Sequence, residues 1–351
     1  MSAPVQVQPL PYSAREARAT LGPRWKKILL ATYRWMVLAR ALDGRMLTLQ
    51  RQGRIGFYGA ATGQEAVNVA AGLLTTPEDW IFPGLREQFV ALVRGFPLTE
   101  YAHSIFGDDV DAARGRQMPC HPTARGVNYV SMSSVIGTQI SQAVGVAYAL
   151  RHRKSPGVAV AFFGDGATSS NDFHAGLNFA GVFHLPLVFV CANNQWAISL
   201  PVERQTAAAT LAGKAQAYGV PGERVDGTDF MATYQALDRA LRAARAGNGP
   251  SLVEFRTFRM TAHSSSDDAG RYQPADWTVR AQQMDPVRRL EEWMRSQDLL
   301  STEREAAVRE ECETEVQSAV RVAEGAPPPD PSSLTEDVYA SPGSRARGPD
   351  S

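Results

Sequence analysis

Apolar positions recur every three or four residues from Trp25 to Arg51, with Ile28, Ala31, Trp35, Leu38, Leu42, Met46 and Leu49 along one face. That period predicts a long amphipathic helix. A glycine-punctuated stretch from Gly53 to Gly63 follows and reads as loop and turn. Residues 64–74 predict a short helix with small residues on its packing face, and residues 79–118 alternate short apolar pieces with loops. Thr138–Leu150 predicts a helix in which Ala143, Gly145, Ala147 and Ala149 permit close packing. The continuous apolar run Val158–Phe163 reads as a strand buried on both faces and Leu185–Cys191 as another buried strand, with a helix over Asn171–His184 between them, and Leu252–Phe258 as a third strand. Strands separated by helices predict an α/β fold with a doubly wound, mostly parallel sheet. Towards the C-terminus, Pro286 suits a first helical position and Val287, Leu290 and Trp293 follow at helical spacing. A last helix is expected over about Glu303–Glu324, opened by Thr302 and Glu305 in capping-box spacing.

The ends differ from this regular middle. Residues 1–25 are expected to be a flexible arm, 26–325 the folded domain, and 326–351 a disordered Pro/Ser-rich tail, since six prolines fall between 325 and 351. Five basic residues against Glu16 alone in residues 1–27 faintly suggest an organellar targeting segment. Pro4, Pro9, Pro11 and Pro23 count against the amphipathic helix such a segment needs. There is no secretory apolar core either, so the expected location is the bacterial cytoplasm ahead of the mitochondrial matrix.

Composition narrows the class. A chain of 351 residues suggests about two domains, or one large α/β domain with arms. Lys+Arg and Asp+Glu both number 36, so no net charge draws the chain to nucleic acid or an anionic membrane. No apolar run approaches the ~20 residues of a membrane-spanning helix. Cys120, Cys191 and Cys312 are widely spaced and unpaired in number, which suggests neither a disulfide framework nor a zinc site.

The informative segment is Gly164–Trp196. A buried strand ending at Phe163 places Gly164-Asp165-Gly166 at its carboxyl end, where open α/β sheets bind ligands. The next strand delivers Asn193-Asn194 to the same edge. Asp165 and Asn194, 29 positions apart, then offer two hard oxygen ligands, which suit Mg²⁺ completed by phosphate oxygens and water. A magnesium-bridged diphosphate is the natural inference. Ser169 stands where a dinucleotide fingerprint needs its third glycine, and no Walker-type loop occurs.

With its GDG piece, helix, strand and Asn-Asn pair, this segment resembles the thiamine-diphosphate signature. Residues 26–325 resemble the α subunit of a 2-oxo acid dehydrogenase E1 component, through Arg86 in GLRE, GRQMP at 115–119, SSVIGTQ at 133–139 and HSSSDD at 263–268. GRQMP and HSSSDD look more like the branched-chain type than the pyruvate type. The resemblance implies a thiamine-diphosphate-binding fold, with an N-terminal helical arm and C-terminal helices. It implies that Asp165, Asn194 and the Trp196 carbonyl hold Mg²⁺ and that Arg86 meets the diphosphate. Ser134 and Ile136 would touch the thiamine, Ile136 as an apolar wedge, and Gly166 and Ala167 would offer backbone amides. Ser133, Thr138 and Gln139 match positions that can hold K⁺. His263 would move protons at the reactive centre.

The implied reaction is oxidative decarboxylation of a branched-chain 2-oxo acid, with acyl transfer to the lipoyl group of an E2 acyltransferase. The partners are a β subunit in an α2β2 heterotetramer, which supplies an activating glutamate, and the E2 core. The alternatives are a pyruvate or acetoin enzyme, and a structural α subunit with little turnover.

Three positions depart from the branched-chain pattern. Leu85 stands for a frequent tyrosine, Ala192 for a frequent arginine and Gln273 for an arginine after Tyr272; the first two would remove diphosphate contacts. Blander readings stand beside the functional ones. Asp165 could be a turn carboxylate, Arg86 a surface arginine beside Glu87, and His263 a residue of a solvated, mobile Ser/Asp loop. His121 reads as bracing its loop, and His174 and His184 as packing residues.

Overall fold

The structure is a computed structural model, and it describes residues 5–336. Helices α1 (Ala14–Leu21), α2 (Trp25–Arg51) and α3 (Glu65–Leu74) lead into strand β1 (Trp80–Phe82) and the short helices α4 (Gln88–Val93) and α5 (Leu98–Phe106). The centre runs α6 (Thr138–His152), β2 (Ala159–Gly164), α7 (Asn171–Val182), β3 (Leu187–Asn193) and a two-stranded turn, β4 (Trp196–Ala197) with β5 (Leu200–Pro201). It continues through β6 (Gly222–Asp226), α8 (Phe230–Arg245) and β7 (Ser251–Arg256), then α9 (Trp277–Gln283), α10 (Pro286–Ser296) and α11 (Thr302–Glu324).

The main sheet is five-stranded and parallel, in the order β1-β2-β3-β7-β6. Successive residues of β2 and β3 point to opposite faces, so the two strands feed two cores. Val160, Phe162, Val188 and Val190 join the core formed with α2, α3 and α8. Ala161, Phe163, Phe189 and Cys191 join the core formed with α6 and α7. This double burial is why both strands read as unbroken apolar runs. Gly176 lets α7 approach α6, since a Cβ there would lie 2.6 Å from the Cγ2 of Ile140.

The doubly wound parallel sheet is as expected, but two strands were not read from the sequence. β1 has three residues, and β6 is a half-exposed edge strand of sequence GERVD with no apolar alternation. Helix α8 was also not read, although Asp229 caps it by accepting from Met231 and Ala232.

The ends depart from the flexible arm and tail expected of them. Residues 5–21 are anchored: Val7, Leu10, Ala17 and Leu21 are buried, and Ser13 and Glu16 form a capping box that starts α1. The amide of Gln8 donates to the Gln283 carbonyl at 2.7 Å, and the Trp293 indole donates to the Tyr12 carbonyl at 2.7 Å. Residues 326–336 lie along the 107–116 loop, where Asp109 N donates to the Pro327 carbonyl and Arg116 to that of Ser333. Residues 1–4 and 337–351 of the expected arm and tail lie outside the described residues. The cap of α11 is also shifted: Ser301, not Thr302, accepts from Arg304 N at 3.2 Å. Among the described residues no helix is long and apolar enough to cross a membrane, and all three cysteines are free and buried.

Candidate active site

Parallel pairing of β2 with β3 puts Gly164 opposite Ala192, so Asp165, one residue on, and Asn194, two residues on, both emerge at the carboxyl edge. They line a cavity of about 440 Å³. Arg86, Ser133, Ser134, Ile136, Gln139, Gly166, Ala167, Trp196 and His263 line it too. Thr138, on the first turn of α6, does not; its hydroxyl donates to the Val135 carbonyl at 3.0 Å. Of the asparagine pair only Asn194 faces the cavity. Asn193 turns away, donating to the buried Glu254 at 2.7 Å and accepting from Gln195 N.

Asp165 is buried, and burial pushes its carboxyl above the ordinary range. Its Oδ2 accepts from Gln205 Nε2 at 2.8 Å. Gly166 sits so close to the β4–β5 turn that a Cβ would lie 2.7 Å from that of Ala197. Its bare backbone is therefore part of the cavity wall. The Trp196 carbonyl accepts from Arg259 at a long 3.3 Å, and the Asn194 side-chain oxygen accepts from Trp196 N at 3.3 Å.

Arg86 enters from the loop before α4 and is only 4% exposed. Its guanidinium donates to main-chain carbonyls, those of Ala60 and His263, while its backbone N–H donates to the Glu87 carboxylate at 3.1 Å. Burial and the neighbouring Arg259 lower its pKa to about 10, so it is still a cation at neutral pH. Burial, with Arg86 and Arg259 adding repulsion, lowers the pKa of His263 to about 4. Nδ1 of that ring lies 3.5 Å from the Arg86 guanidinium. A guanidinium only donates, so the lone pair faces it and the neutral ring carries its proton on Nε2.

The 260–273 loop is not simply solvated. Ser265 N donates to the Tyr58 carbonyl at 3.0 Å, and Tyr58 N donates to Ser265 Oγ at 3.1 Å. Asp267 accepts from His263 N at 2.7 Å and from the Tyr272 hydroxyl at 2.5 Å. Arg259 donates in turn to Tyr272, and to the carbonyl of Ile198 at 2.8 Å. Gln273 Nε2 is buried without a partner.

His121 does more than brace its own loop. Its Nδ1 lies 2.9 Å from the Pro119 carbonyl, which fixes the proton there, so Nε2 accepts from the Ser134 hydroxyl at 2.5 Å. His174 bonds Tyr218 on the surface at 2.5 Å. The sequence reading missed Glu87, Gln205, Arg259 and Asp267. Glu87 lines the cavity, and burial raises its pKa to about 7. Glu87 and Asp267 lie within the GLRE and HSSSDD segments, while Gln205 and Arg259 have closeness to strand ends as their only sequence signal. Leu85 and Ala192 also line the cavity and present apolar walls near Arg86 and Asp165.

A family model described as dehydrogenase E1 component matches residues 33–332. The chain belongs to this family, as an α subunit of a 2-oxo acid dehydrogenase. It is 40% identical over 325 residues to the mitochondrial 2-oxoisovalerate dehydrogenase subunit alpha 2 of Arabidopsis thaliana, covering 92% of this chain and 68% of that protein. The Homo sapiens mitochondrial 2-oxoisovalerate dehydrogenase subunit alpha is 38% identical over 315 residues, covering 90% and 71%. The pyruvate dehydrogenase E1 component subunit alpha of Staphylococcus aureus is 39% identical over 308 residues, covering 87% and 80%. The E1 α cavity thus lies where the adjacent strands β2 and β3 of the parallel sheet end.

Proposed function

We propose that this E1 α subunit binds thiamine diphosphate through Mg²⁺ and, with a β subunit, oxidatively decarboxylates a branched-chain 2-oxo acid, passing the acyl group to a lipoyl group on an E2 acyltransferase. One observation carries this reading. A buried carboxylate and an amide oxygen, Asp165 and Asn194, share a cavity with a buried arginine whose guanidinium donates to main-chain carbonyls.

The residues fit the group. Among the described residues no three His, Cys, Asp or Glu side chains gather as a self-sufficient metal cluster. Mg²⁺ does not require one, because substrate phosphate and water usually complete its octahedron. Asp165, Asn194 and the Trp196 carbonyl would supply the protein oxygens. A divalent cation would also offset the burial that now disfavours the Asp165 charge. Arg86 would donate to the diphosphate with the N–H groups not engaged by Ala60 and His263. Gly166 and Ala167 would present main-chain amides, and Ser134, held by His121, would meet the thiamine beside Ile136. For K⁺, the supporting feature is the Gln139 Oε1, buried without a partner while its Nε2 donates to the Phe162 carbonyl at 2.9 Å. Ser133 and Thr138 would add hydroxyl oxygens.

When bound, the cofactor supplies the carbanion and electron-sink chemistry. This chain's part is to orient substrate and exclude water. His263, neutral with its proton on Nε2, is placed to donate a hydrogen bond from that nitrogen to a reacting oxygen. Met118, Ile136 and Ile198 line the cavity yet are more than half exposed. That apolar rim supports a partner subunit closing the site, in an α2β2 assembly. The bacterial relative supports a cytoplasmic location.

The 39% identity to a pyruvate subunit favours a second reading, with pyruvate as substrate. Co-purification with the β subunit, followed by decarboxylation assays on 3-methyl-2-oxobutanoate and pyruvate, decides between them. A higher kcat/KM for the branched acid supports the first reading. No turnover with either acid despite bound cofactor contradicts both.

A further inference from the structure

Asp43 lies on α2, outside the cavity, and is 2% exposed. Its two carboxylate oxygens accept from two hydroxyls of one turn: Tyr58 at 2.8 Å and Thr62 at 2.6 Å. Burial raises its pKa to about 6, opposed by those two bonds.

The turn it holds, residues 57–63, touches both arms of the candidate site through its backbone. The Ala60 carbonyl accepts from the Arg86 guanidinium. Tyr58 exchanges two bonds with Ser265, two residues beyond His263, and the Thr62 carbonyl accepts from Met260 N at 3.3 Å. The turn also has little freedom to be rebuilt. Gly63 has φ +99°, and a Cβ there would lie 1.9 Å from the Phe258 carbonyl.

We infer that Asp43 is a positioning residue for this site, fixing Arg86 and the His263 loop together through Tyr58, Thr62 and the carbonyls of the turn between them. The inference rests on the cofactor reading for what Arg86 and His263 do, but not for the mechanical link. A carboxylate suits the task because it accepts from both hydroxyls at once. An amide in its place accepts with one atom only and presents an N–H to the other hydroxyl.

The test uses the full chain co-purified with its β subunit, as wild type, Asp43→Asn and Thr62→Val. Thr62→Val removes one arm with little change of shape, so it decides alone if Asp43→Asn does not assemble. Amide hydrogen exchange across residues 260–268 is expected to quicken about tenfold in the variants, with the α2 and sheet amides unchanged. Calorimetry with thiamine diphosphate and Mg²⁺ is expected to show at least ~5-fold weaker binding, and kcat at saturating cofactor to fall as well. Folded variants with wild-type exchange at 260–268 and wild-type affinity, losing only melting temperature, would overturn the inference. The exchange readout needs no ligand. A wild type that binds no thiamine diphosphate therefore sinks the cofactor reading alone, and the exchange result still decides the role of Asp43.

Discussion

The guanidinium of Arg86 donates to the carbonyl oxygen of His263 at 2.5 Å, joining the loop before α4 to the loop after β7. One buried cation thus faces the candidate diphosphate site while holding the backbone of the candidate catalytic histidine. Replacement by methionine removes both roles. Arg86→Met is expected to weaken thiamine-diphosphate binding roughly 10- to 150-fold, the range for lost hydrogen bonds to charged groups. Turnover should stay depressed at saturating cofactor, because the His263 loop has lost its tether. A titration followed by steady-state kinetics separates the two effects; full kcat at saturation would remove the second.

His263 makes stability depend on acid pH. Its folded pKa is lowered to about 4, against about 6.5 in an unfolded chain. The unfolded state therefore takes up a proton that the folded state refuses over that window, and stability rises with pH across it. The contribution is complete above pH ~6.5 and is lost as pH falls through about 4. His263→Gln cannot titrate. Its melting temperature relative to wild type should be more favourable at pH 5 than at pH 8, and a pH-independent difference would contradict the assignment.

The sheet was legible where burial is two-sided. The runs ending at Phe163 and Cys191 carry no polar residue because both faces of β2 and β3 are covered. β6 escaped because it is a half-exposed edge strand whose polar Glu223 and Arg224 pair with Arg239 and Glu254. Asp165 and Asn194 were legible because strand, glycine and turn are consecutive in the chain. Asp43 and Arg259 were not, since each gains its partners from segments brought near only by folding. The flexible arm was misread for the same reason: the apolar positions at Val7, Leu10 and Leu21 are too sparse to predict burial until α8 and α10 lie beneath them.

The cap of α11 offers a direct comparison of sequence spacing with geometry. Ser301→Ala removes the hydroxyl that Arg304 N donates to, at a cost of about 1 kcal/mol. Thr302→Ala, at the first helical position, should stay within ~0.5 kcal/mol. Hydrogen exchange in the first turn of α11 should quicken in the serine variant only; the reverse order would restore the spacing-based reading.

Leu85 lines the cavity and offers no donor to a diphosphate. Leu85→Tyr adds a hydroxyl on the same wall and is expected to tighten cofactor binding about 3- to 10-fold. Weaker binding in a folded Leu85→Tyr variant would show that the apolar wall is fitted to its ligand as it stands.

The central claim is that Asp165 and Asn194 form a magnesium-dependent diphosphate site. Calorimetry of thiamine diphosphate into the co-purified α and β subunits, with and without Mg²⁺, tests it most directly when repeated on Asp165→Ala. Wild type should bind only with the metal present, and the variant should lose ~100-fold or more in affinity together with the metal dependence. A folded Asp165→Ala complex that binds with unchanged affinity and unchanged response to Mg²⁺ would contradict the account.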